Sequence, residues 1–268
     1  MKKIRIAISG PMGRMGQMLV KEVQKNKHTC LSTVIVRKNS PFVNQDIGEK
    51  IGIGAIGVLI RETLNIEKND FDILIDFTNP SSTLNYLKYC SKFKKNIVIG
   101  TTGFTQQEQK TIKLYSQKIG IILSSNFSIG INLLFQLIEH TTKVIGNNFD
   151  IDILETHHRN KIDSPSGTAL SMAKVILKSM NWKNLKNHSI YHTNGIIQKR
   201  DKNKIGFSIV RSGNIVGKHT IMFTGNNEQI KISHTAFNRT NFSKGAVQSA
   251  IWISNKNKGL FNMLDVIS

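Results

Sequence analysis

Residues 4–16 read Ile4-Arg5-Ile6-Ala7-Ile8-Ser9-Gly10-Pro11-Met12-Gly13-Arg14-Met15-Gly16, an apolar run followed at once by three spaced glycines. The run is typical of a buried strand, and the amphipathic stretch 13–25 predicts a helix directly behind it. Glycines at such a turn let the backbone approach a pyrophosphate, whose charge is stabilised by free N–H groups at the helix start. The spacing is G-x-x-G-x-x-G rather than the commoner G-x-G-x-x-G, so a turn without ligand is the alternative.

The same alternation of apolar runs and amphipathic stretches continues through the first half of the chain. Parallel strands joined by crossover helices form a doubly wound sheet, whose ligands lie at the carboxyl ends of the strands. Residues 39–69 are dotted with glycine and lack clear periodicity, so we predict irregular structure there. Further strands are predicted at 31–36, 71–77, 96–99 and 120–123, and helices at 80–92 and 106–118.

The pattern changes after residue 129 and predicts a second domain of α+β type with a mixed or antiparallel sheet. The last helix, 242–255, is expected to pack back on the first domain. We therefore divide the chain into a dinucleotide-binding domain, 1–128 completed by 239–268, and a second domain, 129–238. The second domain is predicted to contain helices at 131–145 and 167–180 and strands at 150–156, 205–211, 215–223 and 229–235.

Composition restricts the class of protein. The 268 residues are 39% hydrophobic and 20% charged, and no apolar run approaches the ~20 residues that cross a bilayer, so we expect a soluble cytoplasmic protein without a membrane partner. The formal net charge of +20 raises the question of nucleic acid, but the lysines are spread along the chain and no nucleic-acid module is present. We expect no nucleic-acid partner, while a positive field would suit an anionic substrate or cofactor. Cys30 and Cys90 have no partner motif and are expected to be inert thiols.

Several strand ends supply candidate cofactor residues. The second strand ends in Val36-Arg37-Lys38, without the acid that holds a bare ribose, whereas a nearby arginine can accommodate the 2′-phosphate of NADP. Solvated surface charge is the alternative for this basic pair, and ordinary turn chemistry explains each later strand end taken separately. The candidate cofactor-binding residues are Gly10, Pro11, Met12, Gly13, Arg14, Met15, Arg37, Phe77, Thr78, Gly100, Thr101, Thr102, Ser124, Ser125, Asn126 and Phe127.

The loop 155–168 combines two histidines, two cations and a Ser-Gly-Thr helix start. Such a helix start offers N–H groups and hydroxyls to a carboxylate, while Lys161 and a histidine add charge and a transferable proton. A metal site is the competing interpretation of His157-His158, but adjacent histidines on a strand point to opposite faces. No third and fourth ligands stand at metal spacing, so we predict no metal.

These motifs together resemble the dihydrodipicolinate reductase family. The resemblance covers nearly the whole chain and includes the glycine loop, Asp76-Phe77-Thr78, residues 100–104, residues 125–128, the loop 155–168 and the segments 210–213, 215–220 and 259–261. It implies a Rossmann-type domain, and a mixed-sheet domain that binds substrate and joins four subunits into a homotetramer. It also implies hydride transfer from NADPH or NADH to a small cyclic dicarboxylate. The implied catalytic residues are His157 and Lys161, and the implied substrate-binding residues are His158, Ser166, Gly167 and Thr168.

Two departures from the family pattern concern the cofactor. Val36 replaces an acid that many members have, and Asn79 stands where some have arginine, so we expect NADPH to be preferred to NADH. Two other classes stay open: a different Rossmann oxidoreductase, and a non-catalytic protein that senses nucleotides or binds nucleic acid. Neither class has a reason to carry His157-His158 with Lys161 in one loop.

Overall fold

The computed structural model describes residues 2–64, 70–191 and 199–268. The chain divides into two compact units, one running to Ile129 and including Thr240–Ser268, the other Gly130–Arg239. These boundaries differ by one residue from those expected. In chain order the elements are β1 (Ile4–Ser9), α1 (Arg14–Lys25), β2 (Thr29–Ile35), α2 (Ile47–Lys50), β3 (Ile60–Arg61), β4 (Ile73–Asp76), α3 (Pro80–Lys92), β5 (Asn96–Ile99), α4 (Gln106–Tyr115), β6 (Gly120–Leu123), α5 (Ile129–Ile145), β7 (Asp150–His157), α6 (Gly167–Ser179), β8 (Ser189–Tyr191), β9 (Ile205–Arg211), β10 (Gly217–Thr224), β11 (Gln229–Ala236), α7 (Thr240–Ile253), β12 (Gly259–Phe261) and α8 (Met263–Ile267).

The first unit contains a seven-stranded parallel sheet in the order β12-β6-β5-β4-β1-β2-β3. Its strands are apolar on both faces because helices cover them, as the near-continuous apolar runs predicted. Helix α7 buries Ala246, Ala250 and Ile253 in the same core as β1 and β4. Gly245 lets α7 pack closely against the backbone of Phe127, because a side chain at this position would collide with the Phe127 carbonyl. The predicted α/β fold with a doubly wound sheet is confirmed.

The prediction of irregular structure over 39–69 was wrong in part, and residues 65–69 lie outside the described residues. Helix α2 and strand β3 are too short to produce a periodic signal. They depend on Asp46, whose carboxylate accepts from four backbone N–H groups, those of Gly48, Glu49, Ile56 and Gly57. The sequence analysis also missed β8, β12 and α8, each of five residues or fewer.

The second unit contains a five-stranded mixed sheet in the order β11-β10-β7-β9-β8. Strand β10 runs antiparallel to β7 and β11, whereas β7, β9 and β8 are parallel. Helices α5 and α6 cover one face, where Ile153, Phe207, Ile221 and Phe223 are buried. On the opposite face Val210 is 49% exposed. Among the described residues, no helix is long and apolar enough to cross a membrane.

Candidate active site

The glycine loop joins β1 to α1 in the first unit. Gly10 has φ of +63°, a backbone conformation that glycine adopts at no steric cost. A Cβ on Gly16 would lie 2.7 Å from Pro11 Cα and closer still to the Gly10 carbonyl oxygen, so only glycine lets α1 approach the loop. Gly13 is the N-cap of α1, without a side-chain cap and with no acidic residue in the first turn. The helix start is therefore shaped and charged for a pyrophosphate.

A cavity of about 470 Å³ lies beside this loop, within the first unit. It brings together Gly10, Met12, Gly13, Arg37 and Thr78, five of the residues predicted to bind cofactor. Its volume is in the range of small-molecule sites. The sequence analysis missed much of the remaining lining, which includes Ser40, Pro41 and Phe42 in the stretch 39–69 and Ser82 and Tyr86 on α3.

The cavity wall has the electrostatics of a phosphate site at one end. Val36 and exposed Arg37 both line it, whereas Arg14 and Lys38 are not among its lining residues. Burial, with a smaller effect of buried Asp76, raises the pKa of Tyr86 to about 12, which keeps that phenol neutral. The residues present fit a nicotinamide dinucleotide, because the cavity joins an uncapped helix start to an arginine and an apolar wall.

A buried carboxylate organises two of the predicted strand ends. Asp76 is fully buried at the end of β4 and accepts from the hydroxyls of Ser9 (2.5 Å), Thr78 (2.7 Å), Thr101 (3.3 Å) and Thr83. Thr101 in turn accepts from the Thr78 backbone N–H at 3.0 Å. Asp76 therefore holds Thr78 and Thr101, on neighbouring strand ends, in fixed positions.

The other predicted cofactor residues of the first unit do not line this cavity. The ring of Phe77 lies over Gly100, where any side chain would collide with it, and packs 5.2 Å from the Phe127 ring. Phe127 is buried in the core, so its ring is not available to a ligand. Their binding roles stay predictions: Met15 lies in the first turn of α1, and the others follow the carboxyl ends of β1, β5 and β6, namely Pro11, Thr102, Ser124, Ser125 and Asn126.

In the second unit, buried His157 ends β7 and lies beside buried Glu155. The His157 Nδ1 and Glu155 Oε2 atoms are 3.5 Å apart, and the two side chains are 7% and 1% exposed as residues. Alternation along β7 places residues 155 and 157 on the covered face, while His158 is half-buried beyond the strand. The two adjacent histidines therefore have different environments, as predicted.

Ser166 connects Glu155 to the start of α6. Its backbone N–H donates to both carboxylate oxygens of Glu155, at 3.1 and 3.2 Å. Its hydroxyl accepts from the Ala169 N–H as the N-cap of α6 and lies 3.1 Å from His219 Nε2. Ser166 is itself 2% exposed, so we interpret it as a residue that positions the helix start.

Arg211 and His219 lie in the segments 210–213 and 215–220, to which the sequence analysis assigned no role, yet both belong to this cluster. Arg211 Nη2 donates to Glu155 Oε1 at 3.0 Å and to the Asp163 carbonyl at 2.8 Å. The His219 ring lies 4.9 Å from the His157 ring, edge to face. Pairing of β7 with β9 and β10 sets His157 opposite Arg211 and Glu155 opposite His219. Only strand pairing shows that these residues are neighbours, because they lie 54 to 64 positions apart in sequence.

The cluster shifts three pKa values. Burial would raise the pKa of Glu155, but hydrogen bonds from Ser166 and Arg211 outweigh it and lower the value, so Glu155 is charged. Burial lowers the pKa of His157, with Glu155 acting in the opposite direction. Burial and the neighbouring His157 lower the pKa of His219 to about 4. Both histidines are therefore mainly neutral near pH 7.

Lys161 lies in the loop between β7 and α6 and binds Asp163 through both carboxylate oxygens, at 2.8 and 2.9 Å. Its side chain is 20% exposed. Gly167 is exposed, and a Cβ there would meet nothing within 4 Å, so the start of α6 is open next to it. Thr168 is half-buried in the first turn of this helix, which has no acidic residue. An anion can therefore approach the helix start.

The expectation that no third metal ligand is near was wrong, because the tertiary structure brings a third donor residue close to His157. Donor atoms of Glu155, His157 and His219 all lie within 4.8 Å of one another. The two Glu155 oxygens, however, already accept from Ser166 and Arg211, and a cation would compete with the arginine for that charge. The arrangement is that of an ion pair with two neutral histidines, and we assign no metal to it.

Comparison with known proteins gives the relationship of the chain. Residues 4–127 match the family described as dihydrodipicolinate reductase, N-terminus, and residues 130–267 match its C-terminus family. A 4-hydroxy-tetrahydrodipicolinate reductase of Buchnera aphidicola subsp. Acyrthosiphon pisum (strain APS) is 66% identical over 267 residues, which cover 100% of this chain and 99% of the relative. The reductase of the same name from Buchnera aphidicola subsp. Baizongia pistaciae (strain Bp) is 51% identical, with 100% of both chains covered.

A solved structure agrees with these matches. A dipicolinate-bound dihydrodipicolinate reductase from Paenisporosarcina sp. TG-14 is 27% identical, covers 100% of both chains and has a TM-score of 0.76. The resemblance inferred from the motifs is thereby confirmed. Because the two family matches span nearly the whole sequence and a full-length relative is two-thirds identical, the chain belongs to the dihydrodipicolinate reductase family.

Proposed function

We propose that this chain reduces 4-hydroxy-tetrahydrodipicolinate to tetrahydrodipicolinate in the diaminopimelate route to lysine, with His157 as proton donor. It is a nicotinamide-dependent reductase, as its family membership implies. NADPH or NADH, when bound, supplies the hydride. The observation that carries the assignment of the site is that buried His157, Lys161 and the open start of α6 belong to one loop.

A cyclic dicarboxylate has two negative charges that the loop 155–168 is suited to hold. The N–H groups of Gly167 and Thr168 face one carboxylate at the start of α6, and His158 and Lys161 bind the other. Lys161 would exchange its exposed partner Asp163 for the substrate, since Asp163 is 60% exposed and its pairing is weak in water. Ser166 positions the helix start from within the protein rather than contacting the substrate.

Substrate charge also explains how a neutral histidine becomes a proton donor. Burial lowers the pKa of His157, and Lys161 and Arg211 act in the same direction. A bound dianion opposes these cations, so it raises the pKa of His157 and favours the imidazolium. Glu155 adds to this effect and orients the ring. His157 is thus charged mainly when a substrate is present, and it then protonates the substrate as hydride arrives.

The test is a coupled assay in which dihydrodipicolinate synthase generates the substrate and oxidation of reduced nicotinamide is followed at 340 nm. His157→Gln should lower kcat roughly 10²–10⁴-fold with little change in KM. His158→Gln should mainly raise KM, and Lys161→Ala should impair both. Folded wild-type protein that oxidises neither cofactor would refute the activity. Near-wild-type rates for His157→Gln and Lys161→Ala would refute the roles assigned to these two residues but not the activity.

NADPH is the preferred cofactor in this proposal. Val36 neither repels a 2′-phosphate nor binds the two ribose hydroxyls, and Arg37 on the same cavity wall can bind the phosphate. A charge-assisted contact of this kind is worth roughly 1.5–3 kcal/mol when partly desolvated, and exposed Arg37 lies at the lower end. We therefore expect a preference of about tenfold in kcat/KM.

Arg37→Ala should remove this preference, and Lys38→Ala is the matched control. Lys38 is the next residue and is also exposed, but it does not line the cavity. Both cofactors are measured in wild type and in the two variants. Equal efficiencies in wild type, or an unchanged preference in Arg37→Ala, would contradict the assignment.

We also propose that four copies associate through the sheet of the second unit. Its face opposite α5 and α6 includes Val210, which is 49% exposed, and half-buried Leu154 and Met222. Val210→Asp should reduce the mass found by analytical ultracentrifugation. Leu114→Asp, at an apolar position on α4 of the first unit that is 62% exposed, should leave the mass unchanged. A wild-type monomer at micromolar concentration would end the proposal.

A further inference from the structure

Five lysines line one cavity of about 650 Å³ in the first unit. This lysine cavity, defined by Lys94, Lys95, Lys118, Lys256 and Lys258, is not part of the cofactor cavity. The lysines come from three separate segments of the chain. They precede β5, β6 and β12, neighbouring strands of the parallel sheet, at their amino ends. The glycine loop lies at the carboxyl ends of the strands, so the two cavities lie at opposite ends of the strands of this sheet.

The frame of the lysine cavity is held together by one side chain. Asn96 Nδ2 donates to the carbonyls of Ile253 and Lys256, at 2.9 and 2.7 Å, and Asn96 Oδ1 accepts from the Gly120 N–H at 2.7 Å. Asn96 thereby joins the start of β5 to the start of β6 and to the segment behind α7. The backbone positions of the lysines are fixed relative to one another by these bonds.

Two of the ammonium groups are also placed by aromatic rings. Lys256 Nζ lies 4.7 Å from the ring centroid of Trp252, and Lys95 Nζ lies 5.8 Å from that of Phe71. Rings attract cations in this geometry and restrict long side chains that would otherwise spread into water. Burial lowers the pKa of half-buried Lys95, while neighbouring Asp72 acts in the opposite direction.

The lining has little negative charge to offset the five cations. Asp72 is the one carboxylate among the lining residues that the structure describes. It is bound by Arg5, whose Nη2 and backbone N–H donate to it at 2.6 and 2.9 Å. Within residues 2–64, 70–191 and 199–268, no ion pair involves Lys94, Lys118, Lys256 or Lys258. Like charges gathered in this way repel one another, so an anion that enters is stabilised.

Several features favour a chain of phosphates over a single carboxylate. Among the described residues, the lining contains no arginine, the side chain that binds a carboxylate through two parallel bonds, whereas lysine binds phosphate as a point charge. Three linked phosphates carry roughly four negative charges near neutral pH, close to the charge of the five lysines. The volume also exceeds what one carboxylate fills.

We propose that the lysine cavity binds a small anion with a phosphate chain, either a free polyphosphate or the triphosphate of a nucleotide. This site is independent of the reductase activity, because it shares no lining residue with the cofactor cavity. Its occupant lies against the start of β4, β5 and β12 and would link these segments. Binding therefore also stabilises the folded first unit.

Isothermal titration of the full chain with inorganic tripolyphosphate at about 0.15 M salt tests the proposal. Wild type should bind one equivalent. Lys94→Gln/Lys256→Gln and, separately, Lys118→Gln/Lys258→Gln should weaken binding about tenfold or more. Lys88→Gln/Lys110→Gln, which removes the same charge from exposed faces of α3 and α4, should change the affinity less than twofold.

A parallel titration of Arg37→Ala identifies binding at the cofactor cavity instead. An affinity lost in Arg37→Ala, an equal loss in the Lys88/Lys110 control, or no heat in wild type would each overturn the proposal. Circular dichroism checks that each variant is folded. If one of the two double variants of the lysine cavity is unfolded, the affinity of the other one tests the proposal. ATP distinguishes the sources: affinity equal to or above that of tripolyphosphate assigns a nucleoside triphosphate, and weaker binding assigns a free phosphate chain.

Discussion

Replacing Gly16 by alanine should damage both the stability and the cofactor affinity of this chain. A Cβ at Gly16 would lie 2.7 Å from Pro11 Cα, 2.8 Å from Pro11 C and closer still to the Gly10 oxygen. All three atoms belong to the backbone, so no side chain can rotate away. The glycine loop and α1 would have to separate by roughly 1 Å, a displacement of the size that overpacking produces.

The size of the effect follows from two opposing contributions. Overpacking of this kind costs about 1–3 kcal/mol, and alanine returns up to ~1 kcal/mol through its higher helix propensity. We expect a net loss of about 1–2 kcal/mol, which lowers Tm by roughly 2–8 °C for a domain of this length. Because Gly10 and Gly13 line the cofactor cavity, a shift near 1 Å should lower kcat/KM for NADPH by about 10²-fold.

Gly13→Ala is the matched control, three positions away in the same loop. Its Cβ would lie 3.4 Å from the Gly10 oxygen, an ordinary contact, and its φ of −71° suits alanine. Differential scanning fluorimetry and steady-state kinetics with NADPH are measured for both variants. Gly13→Ala should stay close to the wild-type Tm, because the lower entropy of the unfolded chain offsets the weaker N-cap preference of alanine. The reasoning is refuted if Gly16→Ala keeps both the wild-type Tm and the wild-type kcat/KM for NADPH, or if Gly13→Ala is the less stable variant.

Two further predictions concern the cluster in the second unit. Glu155→Gln should lower the pKa of His157 further, because the carboxylate opposes the effect of burial on that ring. Since His157 must be protonated to act as the acid, the alkaline limb of the kcat/KM profile should move to lower pH. Glu139→Gln removes a carboxylate on α5 whose side chain is 38% exposed, and should leave the profile in place. The free energy of unfolding should fall as pH drops from 6.5 to about 4. In this range His219 is protonated in the unfolded chain but stays neutral in the folded chain, where burial lowers its pKa to about 4. This loss of unfolding free energy approaches ~3 kcal/mol. Urea unfolding at pH 7 and 4.5 gives the free energy of unfolding at both values, and it should fall less between them in His219→Asn than in a control with exposed His140→Asn. An equal fall in the two variants would contradict the prediction.

The sequence determined the larger elements because their signals are local. Period and length distinguish the buried parallel strands from the amphipathic helices, and three glycines mark the turn between β1 and α1. The motif 155–168 likewise lies in one continuous segment, so its histidines, Lys161 and the start of α6 were identified without coordinates. Short elements such as β3 and α2 were missed, since two to four residues give no period and depend on a distant cap such as Asp46.

Tertiary structure alone decided which charges meet. Glu155 acquires Arg211 and His219 through strand pairing, and this pairing, with burial, sets the protonation of His157. The lysines looked evenly spread in the sequence, yet β5, β6 and β12 return to the same edge of the sheet and gather five of them around one cavity. A pattern in sequence reports the neighbours of a residue along the chain, whereas the potential at a side chain depends on distance in space, which only the folded sheet fixes.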